Sequence, residues 1–439
     1  LNWIDVMDVS LIGLIVAVLM LALLASGVWV GITLLSVGLF SMLAFSHAPA
    51  ASIQSTIIWG QSSSWALTAL PLFIWMGEIL YRTRLAKDMF EGLTPWLAGF
   101  PGRLIHVNVV SCGIFAAVSG SSAATTATIG KITIPQLLKR GYDERTVIGS
   151  LAGSSTLGFL IPPSIILIVY GVAADVSITR LFIAGVLPGL MLIALFMGYL
   201  ALWSMLNPAK VPAREPRVPI LKRIRETAKL IPIVLLMIAV IGSIYAGIAT
   251  ATEAAAVGVV GALVIALFSG SLNWKSFVDS VMGATRTSVM VAFILSGAAF
   301  LSVAMGFTGI PRELSAWVGS LGLQKFELLL ALTVLFIIMG CFLDGISIVV
   351  LTAAVIMPIT QQAGIDPIWF GVFLVVVIEM SQITPPVGIN LFILQSMTGK
   401  NLWFIAKAAF PFFILLVIAT ILLIIFPEIA TFLPDTIRQ

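Results

Sequence analysis

The sequence predicts an all-α polytopic membrane protein built as an inverted repeat, with two re-entrant helical hairpins and two discontinuous helices. Three observations predict it: apolar runs long enough to cross a bilayer, a proline pair in the middle of two of them, and a fixed offset relating breaker residues in the two halves. Hydrophobic residues fill 60% of the 439 positions, charged residues 10%, and mean hydropathy is +1.14, the composition of a membrane protein. Such a chain has room for roughly a dozen spans of about 20 residues. The net charge of +4 is too small and scattered for nucleic acid; its placement reports orientation instead. Cys112 and Cys341 lie in apolar segments and suggest neither a disulfide framework nor a transition-metal cluster. The first ten residues lack a signal-peptide pattern, so the first apolar run reads as a retained span.

In chain order, spans are expected near 9–25, 28–45, 66–81, 144–174, 180–206, 229–248, 253–270, 285–306, 367–397 and 403–427. Segments 104–139 and 325–362 differ, because each is two short arms around a small or polar centre, SGSSAATT at 119–126 and LDGIS at 343–347. The arm from Leu104 to Val118 would reach about 22 Å at 1.5 Å per residue, short of a ~30 Å hydrocarbon core. A hairpin that enters and leaves from one side fits better than a span. Amphipathic stretches from Leu85 to Leu97 and from Leu272 to Met282 precede the hairpins and read as horizontal arms. The resulting division is 1–103 scaffold, 104–174 first transport half, 175–324 scaffold with the basic loop 207–229, 325–397 second transport half, and 398–439 a C-terminal scaffold helix.

Basic residues set the sidedness. Loop 207–229 carries seven Lys or Arg against two Glu, and Arg82, Arg84, Lys87, Arg103, Lys139, Arg140 and Arg145 cluster at other loops. All lie in the cytoplasm if the first hairpin enters from that side. The second then enters from the opposite face, where 309–323 and 361–366 hold few basic residues. Both termini come out periplasmic.

The two halves share a register. The pairs Pro162–Pro163 in SSTLGFLIPPS and Pro385–Pro386 in SQITPPVGIN are 223 positions apart, as are Pro135 and Pro358, Gly141 and Gly364, and Asp143 and Asp366. Inverted repeats with discontinuous helices are the architecture of secondary transporters, with the binding site at mid-membrane between repeats.

A break inside hydrocarbon is tolerated only where protein, water or a ligand satisfies its backbone groups. Where the first segment of a broken helix stops, free carbonyls suit a cation; where the next begins, the positive end of the dipole suits an anion. The oxygen-rich residues flanking the breaks are hard ligands of the kind Na⁺ prefers, with no soft thiolate or imidazole set. Two cation sites follow. The first draws on Ser119, Ser121 and Ser122 of one tip with Gly153, Ser154, Ser155, Thr156 and Gly158 of one break; the second on Asp344, Gly345 and Ser347 with Met380, Gln382 and Thr384. An anionic substrate between the tips has Ser122, Thr125, Pro163, Gly345, Pro386 and Asn390 as candidate contacts. Asp344 stands out because an ionisable group at mid-membrane is costly and usually functional.

The segments SGSSAATTATIG, GSSTLGFLIPPSI, ATATEAAAVG and SQITPPVGINLF, in this order, resemble signature segments of the large membrane subunit of tripartite ATP-independent periplasmic (TRAP) transporters. That resemblance covers essentially the whole chain. It implies an elevator-type secondary transporter of the ion-transporter superfamily, driven by Na⁺ with no organic cofactor, in the bacterial inner membrane. It further implies a small four-helix membrane subunit and a periplasmic substrate-binding protein that delivers an organic acid, commonly a carboxylate. The chain departs at Ala123, where many relatives have proline.

Other conspicuous residues have plainer readings. Thr250 and Glu253 read as a capping box, Lys131 as a side chain snorkelling to the cytoplasm, His47 and His106 as interfacial, and Trp59, Trp65, Trp75, Trp96 and Trp274 as an interfacial belt. Glu379 has two roles side by side, sensing protons or holding the adjacent loop. A self-sufficient divalent-anion/Na⁺ symporter of the same fold is the alternative function. An intramembrane hydrolase would need a base near a membrane serine, and neither histidine falls near a tip or break; no GxxxxGK[ST] loop marks a nucleotide-driven pump. Transport rather than catalysis is expected.

Overall fold

The computed structural model describes residues 9–213, 219–386 and 388–436. Arg214, Glu215 and Arg217 of the basic loop, Val387 of the second break, and the first eight residues, on which the signal-peptide reading rests, lie outside them. Every regular element among the described residues is helical.

The first half runs α1 (Val9–Ala25), α2 (Val30–Phe45), α3 (Ala50–Ser62), α4 (Ala69–Tyr81), α5 (Leu85–Leu97), the hairpin arms α6 (His106–Ser119) and α7 (Ser122–Lys139), and a broken helix of α8 (Glu144–Ser155), a 3-10 turn Thr156–Phe159 and α9 (Ile165–Ala173). The 29-residue α10 (Ile178–Leu206) follows. The second half runs α11 (Ile220–Thr227), α12 (Ile231–Met237) and α13 (Ser243–Tyr245), with a π turn Ile238–Gly242 between the last two, then α14 (Ala251–Phe268), α15 (Trp274–Thr308) and α16 (Ile310–Ser320). The second hairpin is α17 (Lys325–Gly340) and α18 (Gly345–Gln362), the second broken helix α19 (Pro367–Gln382) and α20 (Ile389–Thr398), and α21 (Leu402–Ile425) and α22 (Glu428–Thr436) close the chain. By length and composition, six segments among the described residues suffice to cross a membrane: α10, the stretch Ile220–Tyr245, α14, α15, α18 and α21. The chain is thus polytopic.

The 223-residue offset is a property of the fold. Helix α7 begins at Ser122 and ends at Lys139; α18 begins at Gly345 and ends at Gln362. The coincident residues have local causes. Asp143 caps α8 by accepting from the Thr146 amide at 3.0 Å, and Asp366 caps α19 by accepting from Trp369 at 2.8 Å. Gly141 and Gly364 turn the chain between hairpin and broken helix with φ of +82° and +68°, where a side chain would be strained. Packing is exchanged between the halves: α4 lies on α14 while α15 lies on α2, and α7 lies on α20 while α18 lies on α9. Such swapped pairing is what a two-fold relation between repeats produces.

Several expectations need correction. No separate arm occupies Leu272 to Met282, because α15 runs unbroken from Trp274 to Thr308; the amphipathic helix before the second hairpin is α16, which takes up most of the segment read as a 309–323 loop. Its mate is α5. Helices α3 and α22 were not foreseen, and the basic loop 207–229 contains α11 and a short turn Pro208–Lys210. His106 is buried within the protein, and its Nε2 lies 2.5 Å from the Pro101 carbonyl oxygen. His47 and Lys131 are exposed, as are Trp59, Trp65, Trp96 and Trp274, whereas Trp75 is half-buried with its Nε1–H donating to Ser280.

Candidate functional site

The first tip is a tight corner. Helix α6 ends at Ser119, Gly120 takes φ +60°, and the Ser121 hydroxyl caps α7 by accepting from the Ala124 amide at 3.3 Å. This cap starts α7 with no proline in its first turn. Ser119 Oγ and Thr125 Oγ1 lie 3.1 Å apart, and Thr125 also donates to the Ser121 carbonyl at 2.7 Å. Thr125, a candidate substrate contact, thus places its hydroxyl hydrogen on a backbone carbonyl of its own tip.

That tip sits in the first break. The Ile165 amide donates to the Gly120 carbonyl at 3.3 Å, and a Cβ on Gly158 would stand 2.7 Å from the backbone of Ser121 and Ser122. Only glycine permits this approach. Within the break, the Thr156 hydroxyl donates to the Gly153 carbonyl at 2.7 Å and the Ser155 hydroxyl to Ala152 at 3.1 Å. Gly153 turns its Cα toward Phe412 of α21, leaving its carbonyl as its contribution to the break, and Pro163 presents its carbonyl to Gly120.

The second tip is capped by Asp344, the positional mate of Ser121. Its carboxylate accepts from the amides of Ile346 and Ser347 and from the Ser347 hydroxyl, so one side chain satisfies the start of α18 and adds a negative charge there. Cys341 donates its thiol to the Pro385 carbonyl at 3.4 Å. Gly340 leaves room for Ser381, whose hydroxyl donates to Ile378 and accepts from Gln382 Nε2 at 3.4 Å. Thr384 donates to the Met380 carbonyl at 2.6 Å. Pro386 is exposed.

Each tip also crosses to the other repeat. Asn390 at the start of α20 donates to Ser122 Oγ at 2.6 Å and to Ser155 Oγ at 3.3 Å, while Gly345 at the start of α18 abuts Ile166 and Phe159. The amino-terminal ends of α7 and α20 meet in one pair, and those of α9 and α18 in another. Four positive dipole ends thus meet in these two pairs, whereas α8 and α19 stop at the breaks with buried last-turn carbonyls that accept from the hydroxyls of Ser155, Thr156, Ser381 and Thr384. Ser154 Oγ and Asn390 Oδ1 are buried and have no partner among the described residues. Both are oxygen acceptors beside the first break and tip.

Glu379 is fully buried, and neither of its carboxyl oxygens has a hydrogen-bond partner among the described residues. The loop-holding role therefore has no bond to act through. Thr250 and Glu253 form the expected capping box, with Thr250 accepting from the Glu253 amide and Glu253 from the Thr250 amide. Contacts such as Asn390 with Ser122 and Cys341 with Pro385 were invisible to spacing, since they join elements from opposite repeats or arise only once a tip is seated; the 223 offset, applied to Ser121, would have marked Asp344 as a cap.

A family model described as tripartite ATP-independent periplasmic transporter, DctM component, matches residues 17–429. The C4-dicarboxylate TRAP transporter large permease protein DctM of Pseudomonas aeruginosa is 33% identical over 91% of this chain and 92% of that protein. The ectoine/5-hydroxyectoine TRAP transporter large permease protein UehC of Ruegeria pomeroyi is 30% identical over 84% of this chain and 86% of its own length. Among solved structures, the Alcanivorax borkumensis YdaH transporter, reported with an unusual topology, is alike in fold, with a TM-score of 0.62 at 14% identity over 85% of this chain and 88% of that one.

Proposed function

The chain belongs to the tripartite ATP-independent periplasmic transporter family as a DctM component, and on that premise we propose that it carries out Na⁺-coupled secondary active uptake of an organic anion of the carboxylate class across the bacterial inner membrane. A periplasmic binding protein delivers the substrate and a small four-helix membrane subunit completes the scaffold. Relatives named for C4-dicarboxylate and for ectoine transport support a small carboxylate as cargo.

The observation that carries this reading is the convergence of four helix amino termini at the tips, with Asn390 tying Ser122 to Ser155 across the repeats. Dipole ends of that sign favour an anion without a fixed lysine or arginine. The facing carbonyl ends and the bare oxygens of Ser154 and Asn390 favour Na⁺. Sodium on the tip and break of each repeat orders the tips and so builds the anion pocket, which couples the two ligands through differential affinity. The body made of α6 to α9 and α17 to α20 then slides against a scaffold of the remaining helices, carrying its load between the two faces.

The test is uptake into proteoliposomes holding this chain and the small subunit, with the cognate binding protein outside and labelled dicarboxylates offered with and without a Na⁺ gradient. Uptake requiring both gradient and binding protein is expected. Equal uptake without the gradient would remove Na⁺ coupling; equal uptake without the binding protein would return the self-sufficient symporter.

A further inference from the structure

A cavity of about 590 Å³ opens between α12, α14 and the turn that leads into α5. Its walls are apolar for most of their length, formed by Ile231 and Leu235 on one side and Val257, Gly261, Val264 and Phe268 on the other. Ile231, Leu235 and Phe268 are more than half exposed, so the slot faces the surroundings of the protein. From Val257 to Phe268 the wall of α14 rises about 17 Å at 1.5 Å per residue. That is close to half of a ~30 Å hydrocarbon core. The slot is one leaflet deep.

The mouth has a different chemistry. Arg84, Asp88 and Lys229 line it, on the side of the basic 207–229 segment. Lys229 is occupied, with its ammonium 2.5 Å from both Glu91 and Glu226. Arg84 and Asp88 are four residues apart, and neither side chain has a hydrogen bond or an ion pair within 4 Å among the described residues. Burial, with Glu91 nearby, holds the Asp88 carboxyl above its ordinary range despite the surrounding cations. The mouth therefore offers one bare guanidinium and one bare carboxylate at the entrance to a leaflet-deep apolar slot.

We infer that this cavity is a binding site for an aminophospholipid of the adjoining leaflet, with an acyl chain in the α12–α14 slot, the phosphodiester on Arg84 and the primary ammonium on Asp88. A guanidinium fits a phosphate oxygen pair, and a carboxylate at the same mouth favours a head group of both signs over a purely anionic one. A choline head cannot give Asp88 an N–H donor, and a glycerol head brings no positive charge. The apolar slot alone would accept any of the three.

The experiment uses the full chain purified in detergent, with native mass spectrometry of retained lipid and thermal-stability titrations against dioleoyl phosphatidylethanolamine, phosphatidylcholine and phosphatidylglycerol. The ethanolamine lipid is expected to bind roughly ten-fold more tightly than the others. Arg84→Gln with Asp88→Asn should erase that preference while the fold, read by circular dichroism, is kept. Val264→Trp, which fills the slot without touching the mouth, should reduce retention of all three. Equal retention of the three lipids by the unaltered protein, undiminished retention in Val264→Trp, or a slot that loses its lipid when the small membrane subunit is present would each overturn the assignment.

Discussion

Asn390 and Ser122, 268 positions apart, are joined by a 2.6 Å hydrogen bond in which the asparagine amide donates to the serine hydroxyl, and both residues are fully buried. The bond ties the start of α20 to the start of α7, so moving the first tip away from the second broken helix would break it. Asn390→Leu is expected to leave the Ser122 hydroxyl without a partner and to cost about 1–3 kcal/mol, while Ser122→Ala in that background should recover part of the loss. Thermal unfolding of the two single variants and the double variant gives the coupling. Strict additivity would show that the bond contributes nothing.

Gly158 is where the first break touches the first tip. A methyl group there would lie 2.7 Å from the backbone of Ser121 and Ser122, which cannot rotate away as a side chain end can. Gly158→Ala is expected to displace the tip and to lower Na⁺-dependent uptake at least ten-fold with the complex still assembled, whereas Gly60→Ala, with nothing within 4 Å, should be silent. Ser119→Ala with Ser122→Ala should likewise weaken the Na⁺ dependence. Uptake in Gly158→Ala matching that of Gly60→Ala would remove the close approach from the mechanism.

Much of the architecture was legible because its signals are local. Proline pairs, the Asp143 and Asp366 caps and the αL glycines at 141 and 364 act within a few residues of themselves, so their spacing carried the repeat. Helix α3 escaped because Ala50–Ser62 mixes serine, threonine and glutamine with its apolar residues, and α15 was wrongly divided because its amphipathic first turns look like an independent arm. The site was legible by segment but not by side chain. Thr125 points into its own tip, and Asn390 reaches two residues of the other repeat; which way a polar group turns is decided by packing between halves that sequence spacing does not encode.

The Thr250 and Glu253 pair is reciprocal and lies at the start of α14, outside the tips and breaks. Thr250→Ala should cost about 1 kcal/mol, and Glu253→Gln less because glutamine can still accept from the Thr250 amide. Neither should change the Na⁺ dependence of uptake. A changed ion dependence in Glu253→Gln would assign the carboxylate to coupling instead.

Asp344 combines two roles that substitution can separate. Asparagine retains an oxygen for the Ile346 and Ser347 amides but removes the charge, while alanine removes both. Asp344→Asn is expected to hold the stability of the second tip within about 0.5 kcal/mol and to weaken the second Na⁺ site; Asp344→Ala should lose about 1 kcal/mol as well. Titration of uptake against Na⁺ concentration reads the first effect and thermal unfolding the second. An unchanged Na⁺ titration in Asp344→Asn would leave the residue as a cap alone.

Glu379, in the last turn of α19 before the second break, is the positional mate of Thr156 at the first break, 223 residues earlier. Thr156 satisfies itself on the Gly153 carbonyl, but Glu379 has two buried oxygens with no partner among the described residues. A polar group so placed costs free energy in the resting structure, and an apolar side chain of similar volume removes that cost. Glu379→Leu is therefore expected to raise stability by roughly 1–3 kcal/mol. A chain that keeps such a group at the mouth of a helix break gains something in another state of the cycle, so the same variant should lose most of its Na⁺-driven uptake, the trade of stability for activity found at working sites. Thermal unfolding and initial uptake rates, measured on one preparation, separate the two effects. Full uptake in the stabilised variant would make Glu379 a passive burden, and a destabilised variant would mean that the carboxyl has a structural partner after all.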